Sequence, residues 1–158
     1  MGQITHEQVN LMLRLYDIRR EPRLREARDW YLASFHPASP DDIMKIAPPG
    51  SRENAFLRMV VSYWEMVASI VNRGLIDEDF YFENTGEQWV VWEQLKPIVE
   101  YWRSIFKNPH TFKNLEEHCG RFEAWREMRA PGTNAATRQL LERMRQASLD
   151  AKQASSGA

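Results

Sequence analysis

The chain has 158 residues, of which 43% are hydrophobic and 27% are charged, and its formal net charge at pH 7 is −1. This composition is ordinary for a globular protein, and it excludes a chain that is disordered over most of its length. The near balance of charge also argues against a nucleic-acid-binding protein, or one that is drawn to an anionic membrane surface by its net charge.

The first third of the chain is predicted to be helical at about 5–20, 22–36 and 39–48. Thr5 followed three residues later by Gln8 is a capping-box pattern, which marks the start of the first segment. Apolar residues then recur at helical spacing in the first two segments. A proline lies at or just beyond the end of each segment. It indicates where the helix ends, because proline does not continue a helix.

The segment at about 51–73 is predicted to be the central helix of the fold, because it is apolar almost all round. Ser51 suits its N-cap, and Gly74 suits the position just past its end. A helix with so narrow a polar stripe is typical of the middle of a core. The polar residues of that stripe are Arg58, Ser62, Glu65, Ser69 and Asn72.

Helical spacing continues through the second half of the chain. It is found at about 77–84 and 87–107, and again from Asn108 onwards. After the break at Pro131-Gly132, an amphipathic last helix is predicted at about 134–152.

Together these segments predict an all-α fold, a bundle of six or seven helices. The sequence shows no strand-like alternation longer than a few residues, and no internal repeat. We expect a single helical domain over residues 1–152. The remaining residues, 153–158, are predicted to form a flexible tail.

An ordered series of short motifs runs through the middle of the chain. They are Tyr63-Trp64-Glu65, Gly74-Leu75-Ile76-Asp77, Trp92-Glu93-Gln94-Leu95-Lys96-Pro97-Ile98 with Arg103 downstream, and Phe122-Glu123. Over about 53–127 this series resembles a family of small bacterial helical proteins known only as a domain of unknown function. The resemblance implies the fold and a bacterial origin, but no activity. Many members of that family carry an N-terminal membrane helix, where this chain has an arginine-rich helix pair, so the resemblance implies no membrane attachment here.

Glu65 is the most unusual side chain in the pattern, because it lies in the middle of the most apolar helix. A carboxylate there must reach solvent or a hydrogen-bond donor, since an unpaired buried charge is costly. The favoured hypothesis is a structural ion pair between Glu65 and Arg103, which would fix the register of two helices. The alternative is a ligand-binding or enzymatic bundle with an interhelical pocket near Glu65, in which this carboxylate serves as a general base.

The histidines and the cysteine match no pattern of metal ligands or catalytic residues. None of the four histidines belongs to a Glu-x-x-His or His-Glu-x-x-His motif. The adjacent residues Glu116, Glu117, His118 and Cys119 point in different directions on a helix, so they cannot meet at one ion. We therefore expect no metal, no cofactor and no catalytic residue. His118 is expected at the surface or at the boundary of the core, and Cys119 is expected to pack as a small hydrophobic side chain.

Two sets of apolar residues are candidates for a protein interface, because tryptophan and arginine dominate such interfaces and both are frequent in this chain. Trp89 and Trp92 share one face of their helix, and Leu140, Leu141 and Met144 lie on the apolar face of the last helix. We expect a non-catalytic role in protein interaction or structure, as an accessory subunit of a larger bacterial assembly.

The expected partner is a protein, and neither nucleic acid nor a bilayer. The arginines at 14–28 are interleaved with acidic residues, which is typical of a salt-bridged exposed face. The longest apolar stretch, about 55–71, contains charged residues, so we expect no membrane span. Because Cys119 is the only cysteine, no internal disulfide can form, and we expect a cytoplasmic location. This expectation includes a position beside a membrane complex, where a partner protein would hold the chain.

Overall fold

The computed structural model describes residues 2–156, and every regular element in that range is helical. This confirms the all-α fold class. A short 3₁₀ turn at Pro40–Asp42 precedes α3. The α-helices are α1 His6–Arg19, α2 Pro22–Ser34, α3 Ile43–Ile46, α4 Arg52–Asn72, α5 Glu78–Asn84, α6 Glu87–Ile105, α7 Lys113–Arg129 and α8 Thr133–Ser156.

The expected number of six or seven helices is wrong, since the described residues form eight α-helices. The two short helices, α3 and α5, lie in segments that were both expected to be helical, so the expected number was lower than the number of predicted segments. Side chains cap the 3₁₀ turn before α3 and the first turn of α5. Asp42 accepts a hydrogen bond from the backbone N–H of Ser39 at 3.1 Å, just before α3. Asp77 accepts one from the backbone N–H of Phe80 at 2.9 Å, in the first turn of α5. Such caps satisfy N–H groups that have no partner within the helix.

The predicted starts of α1 and α4 and the predicted end of α4 are confirmed. Thr5 accepts a hydrogen bond from the backbone N–H of Gln8 at 3.3 Å, and Ser51 accepts one from the backbone N–H of Asn54 at 3.0 Å. Gly74 follows α4 with φ of +72°, a left-handed conformation that glycine adopts without steric cost. Local capping therefore sets the bounds of both helices.

One side of α4 faces solvent, and two residues of the predicted polar stripe lie on it. Nine of its residues are buried, but Arg58 and Ser62 are exposed and Met66 is 44% exposed. These three residues are spaced by four, so they form one solvent-facing strip along the helix. α4 is thus an amphipathic core helix, and the expectation of a central helix that is apolar almost all round is not confirmed.

The structure divides into two compact units, one that ends at Gly120 and one that begins at Arg121. In the first unit, α2 packs extensively against α4. Large side chains that are almost inaccessible to solvent fill this core, among them Tyr31, Phe35, Trp64, Leu95 and Ile98. That the two units act as the single domain expected over residues 1–152 stays a prediction.

Buried and partly buried polar groups join distant helices of the first unit. The Tyr31 hydroxyl on α2 donates to the carbonyl of Val91 on α6 at 2.9 Å. Arg28 and Glu87 form a two-pronged ion pair between the same two helices, with N···O distances of 2.6 and 2.5 Å. A buried polar group is costly unless it is paired, so these contacts favour one arrangement of α2 and α6 over others.

The second unit contains the end of α7 and the whole of α8, joined by a turn in which Gly132 has φ of +86°. The side-chain amide of Asn134 donates to the Glu123 carbonyl at 2.8 Å and to the Glu127 carboxylate at 2.9 Å. Arg138 pairs with Glu123 at 2.7 Å. These contacts fix the first turns of α8 against the end of α7.

The last helix is longer than expected. α8 continues to Ser156, so residues 153–156, expected in the flexible tail, are helical. They contain alanine, glutamine and serine but no proline or glycine, so nothing in them stops the helix. The rest of the expected tail, residues 157–158, lies outside the described residues.

The hydrogen bond from Tyr31 to Val91 gives a test of the α2–α6 contact. We expect Tyr31→Phe to lower the free energy of unfolding by about 1 kcal/mol, because the buried Val91 carbonyl loses its side-chain donor. Urea titration followed by circular dichroism measures the change. Tyr101→Phe is the matched control, since Tyr101 is 45% exposed and should change stability little. Equal losses in both variants would contradict the assignment.

Candidate functional site

The N-terminus of α7 lacks a capping side chain of its own. Phe112 precedes the first helical residue, Lys113, and its carbonyl accepts a bond from the backbone N–H of Glu116 at 3.0 Å, as an N-cap residue does. A phenylalanine ring has no acceptor for the free N–H groups of the first turn. Phe112 also has φ of +57°, an uncommon conformation for a bulky residue. The first turn therefore needs an acceptor from elsewhere.

Glu65 on α4 supplies that acceptor. Its carboxylate accepts hydrogen bonds from the backbone N–H of Asn114 at 3.1 Å and from that of Leu115 at 2.8 Å. The Asn114 side-chain amide donates a third bond, at 2.8 Å. A negative charge at a helix N-terminus is also favoured by the helix dipole. Glu65 thus caps α7 from a helix about fifty positions earlier in the chain.

The expected ion pair between Glu65 and Arg103 is wrong. Arg103 binds Glu116 on α7 at 2.9 Å and Glu100 on its own helix at 2.6 Å. It also donates to the backbone carbonyl of Thr111 at 3.1 Å. Glu65 and Arg103 both hold the start of α7, but each has its own partners, because backbone N–H groups satisfy the glutamate.

These contacts leave Glu65 poorly suited to act as a general base. Three donors already occupy its two oxygen atoms. A base must reach a proton on a reacting group, which would require the cap of α7 to break. The structure therefore assigns Glu65 a structural role.

Trp89 and Trp92 are not available as an interface in the described structure. Both are buried, and they share their side of α6 with Leu95 and Val99. The spacing of three and four residues that made them resemble a docking face is the spacing of the core-facing side of this helix. Their assignment to an interface is therefore wrong.

His118 is fully buried, so the expectation that it lies at the surface or at the boundary of the core is also wrong. Its ring packs edge-on against Tyr81 and Phe82, with centroid distances of 5.4 and 5.2 Å. It lies three positions after Leu115, on the buried side of α7. Among residues 2–156, no group of three histidine, cysteine, aspartate or glutamate side chains is placed to hold a metal ion.

Cys119 is a buried free thiol, as its position on the apolar side of α7 predicted. It is 1% exposed, and its Sγ atom donates to the backbone carbonyl of Gln88 on α6 at 3.5 Å. A buried thiol is chemically inert as long as the surrounding structure stays closed. Cys119 therefore serves in packing between α6 and α7.

A cavity of about 240 Å³ lies within the first unit, where α1, α4 and α5 meet. Aromatic rings from all three helices line it, together with leucine and methionine side chains of α1. Seven of the residues that line it have polar groups in their side chains. The residues that carry these groups are Tyr16, Arg19, Tyr63, Trp64, Tyr81, Asn84 and Thr85.

The second unit exposes an apolar strip along α8. Leu140 is 55% exposed and Met144 is 60% exposed, whereas Leu141 is half-buried. Exposed alanines continue the strip at steps of three and four. We call this surface the α8 strip; its residues are Leu140, Met144, Ala147, Ala151 and Ala154. Where α8 is described beyond Asn134, none of its residues is buried.

The sequence matches a protein family over most of its length. Residues 4–122 match the family described as a domain of unknown function (DUF4760). The chain belongs to this family. No curated protein and no solved structure matches it. The DUF4760 match contains α1–α6 and more than half of α7, whereas α8 lies beyond it. Within the described residues, no helix has both the length and the apolar character needed to cross a bilayer.

The cap that Glu65 provides gives a second test. We expect Glu65→Gln to lower the free energy of unfolding by about 1–3 kcal/mol, because the first turn of α7 loses a charged acceptor. Hydrogen exchange should accelerate at the amides of Asn114 and Leu115. Glu117→Gln is the control, since this substitution removes the same charge from an exposed position on the same helix. Unchanged exchange at these two amides would contradict the capping role.

The ion pair of Arg103 and Glu116 makes stability depend on pH. The hydrogen bond from Arg103 lowers the pKa of Glu116 below its ordinary value of 4.5, and Lys113 assists, while burial opposes the shift. A carboxyl group with a lowered folded-state pKa stabilises the fold above pH 4.5, and this contribution is lost as the pH falls through the lowered value.

We therefore expect Glu116→Gln to destabilise the protein at neutral pH, with the difference from wild type vanishing in acid. Urea titrations at several pH values measure this convergence. Glu117→Gln should show no such convergence, because Glu117 is exposed and forms no ion pair with a described residue. A difference between wild type and Glu116→Gln that stays constant down to acid pH would contradict the role of the pair.

Proposed function

We propose that this DUF4760 protein docks onto a protein partner through the α8 strip. The observation that carries the proposal is the exposure of Leu140 and Met144 on a helix that buries none of its described residues after Asn134. A long amphipathic helix gains most of its stability from packing its apolar face. Apolar residues aligned on an exposed face are typical of a surface that another protein covers.

The spacing of the α8 strip favours a helix as the occupant. Its residues follow one another at intervals of four, three, four and three, which is the repeat by which two helices pack along a shared seam. Leucine and methionine at its start provide apolar area that adapts to a partner. The alanines that follow allow the backbone of a partner helix to approach closely.

The charge of the second unit favours an acidic partner. Residues 121–156 contain seven arginines and lysines against four aspartates and glutamates, a net charge of +3, although the whole chain has −1. Complementary charge steers association and selects among partners. The occupant we propose is therefore an amphipathic helix with acidic flanks, carried by a different protein.

This role corresponds to an accessory subunit of a larger bacterial assembly in the cytoplasm. The family resemblance supports a bacterial origin. The buried free thiol of Cys119 is compatible with a reducing compartment. Since α8 lies outside the DUF4760 match, the proposal concerns this chain and not the family as a whole.

The test uses the double variant Leu140→Asp/Met144→Asp in the tagged full-length protein. Affinity purification from the native cells with mass spectrometry should recover a stoichiometric companion with wild type and lose it with this variant. Gln139→Asp/Gln146→Asp adds the same charge beside the strip and should retain the companion. Circular dichroism checks that both variants keep their helical content.

Direct binding then decides between occupants. The purified companion, and a peptide of its acidic amphipathic helix, should bind wild type and not the strip variant in a titration. Light scattering on the purified protein should give the mass of one chain. A mass of two chains that the strip variant reduces to one would mean that a second copy occupies the strip, and would overturn the proposal. A companion retained equally by both variants would overturn it as well.

A further inference from the structure

The C-terminal end of α6 exposes apolar side chains that the core does not enclose. Phe106 is 64% exposed, Ile105 is 50% exposed and Tyr101 is 45% exposed. Every residue from 104 to 110 is exposed as well. A group of large exposed apolar side chains marks a surface that something else covers, whereas a single one needs no explanation. We call this surface the α6 tip; its residues are Tyr101, Ile105, Phe106 and Lys107.

The α6 tip has an ordered backbone. The backbone N–H of Asn108 donates to the carbonyl of Arg103 at 3.0 Å, and that of Lys107 donates to the carbonyl of Ser104 at 3.2 Å. These are the two hydrogen bonds of a Schellman motif, which closes a helix at its C-terminal end. Its left-handed position, where glycine is usual, is occupied by Lys107 with φ of +50°. The tip is therefore held in one conformation, so a binding partner would not have to order it.

The charges around the α6 tip are positive. Residues 101–115 contain two lysines, one arginine and one histidine but no aspartate or glutamate. Arg103 and Lys113 both pair with Glu116, whereas Lys107 forms no ion pair with any described carboxylate. The apolar side chains of the tip thus lie in a stretch of chain that an anionic surface attracts.

A second exposed apolar side chain next to a lysine shows what distinguishes the α6 tip. Met44 on α3 is 62% exposed and precedes Lys45. Asp41 and Asp42 come shortly before them, and Asp42 lies 3.8 Å from Lys45. An anionic surface would repel these carboxylates, and the α6 tip has no such groups among residues 101–115.

Independently of docking by α8, we infer that the α6 tip inserts into the surface of an anionic lipid bilayer. Ile105 and Phe106 enter the boundary between headgroups and acyl chains, Tyr101 lies at the level of the headgroups, and Lys107 lies against lipid phosphates. Aromatic and apolar side chains beside a lysine are typical of such interfacial anchors. The net charge of the whole chain, −1, does not indicate this contact, because it averages the tip with acidic segments elsewhere.

The form of the α6 tip favours a bilayer over a pocket in a protein. Seven consecutive exposed residues project from the surface, so a protein partner would need a pocket shaped to receive them. A bilayer requires no such match, since it offers only apolar depth and negative charge. The contact is reversible, because three apolar side chains provide less attraction than a single myristoyl chain, whose binding constant is about 10⁴ M⁻¹.

The test uses sedimentation of the full-length protein with sucrose-loaded vesicles of equal parts phosphatidylglycerol and phosphatidylcholine, at roughly 1 mM lipid. We expect a measurable fraction of the protein to sediment with these vesicles. Vesicles of phosphatidylcholine alone should bind at least about fivefold less, because they lack the charge that attracts Lys107. Absence of binding to the anionic vesicles, or equal binding to both compositions, would overturn the inference.

Matched variants link the binding to the α6 tip. Phe106→Ser should weaken binding to the anionic vesicles at least about tenfold, because burial of the ring is lost, and Lys107→Gln should weaken it about fivefold. Met44→Ser and Lys45→Gln make comparable changes at an exposed place outside the tip and should leave binding unchanged. All four side chains are exposed, and circular dichroism checks that the helical content is kept. Equal effects of the two pairs would contradict the inference.

A fluorescent label then reports which surface enters the bilayer. An environment-sensitive fluorophore attached at Phe106→Cys should shift its emission to the blue on anionic vesicles, and the same label at Met44→Cys should not. Labelling is selective because the native thiol, Cys119, is buried. Vesicle binding that is lost in Leu140→Asp/Met144→Asp but retained in Phe106→Ser would assign the lipid contact to the α8 strip and overturn the inference.

Discussion

The capping of α7 by Glu65 is the interaction on which the arrangement of the first unit depends. An unpaired carboxylate in the middle of α4 would destabilise the core, and the unpaired N–H groups of the helix start after Phe112 would do the same. Each is resolved by the other, because the glutamate accepts the N–H groups of Asn114 and Leu115. Close by, the Asn72 amide at the end of α4 donates to the Asn114 carbonyl at 3.1 Å. The start of α7 is thereby tied to one register along α4, with a directional precision that apolar packing alone does not supply.

Helix ends satisfied by side chains from other helices recur elsewhere in this unit. The amide of Gln94 on α6 donates to the backbone carbonyl of Phe35 at 2.9 Å and so meets the C-terminal end of α2. Arg103 near the end of α6 donates to the Thr111 carbonyl, just before α7. Because the unpaired groups of a helix end lie at fixed positions, each such contact fixes both the distance and the direction between two elements. The unit combines an adaptable apolar core with a few polar contacts that select one arrangement of it.

Local features of the sequence predicted the secondary structure well, because a cap or a proline acts within a few residues of its own position. Thr5, Ser51 and Gly74 are examples. The requirement for a partner of Glu65 was also predictable from burial of charge, but the partner was not. Backbone N–H groups belong to every residue, so the composition of the 110–115 segment gives no sign that it would supply them. Trp89 and His118 were predicted at an interface and at the surface, but both are buried, and the cause is related. Helical spacing shows which residues share a face, but it does not show whether the core or a partner covers that face. The cavity depends on three helices brought together from distant parts of the chain, and no local pattern encodes such a meeting.

The buried thiol of Cys119 has a practical consequence for the study of motion. As the chain contains no second cysteine, modification by a thiol reagent reports on one place only, the contact between α6 and α7. Labelling requires that place to open, so the rate of labelling in the absence of denaturant measures the opening equilibrium or the opening rate, according to which step is slow. Thiol labelling of the native protein therefore measures how readily the contact between α6 and α7 opens, on the same helix that Glu65 caps.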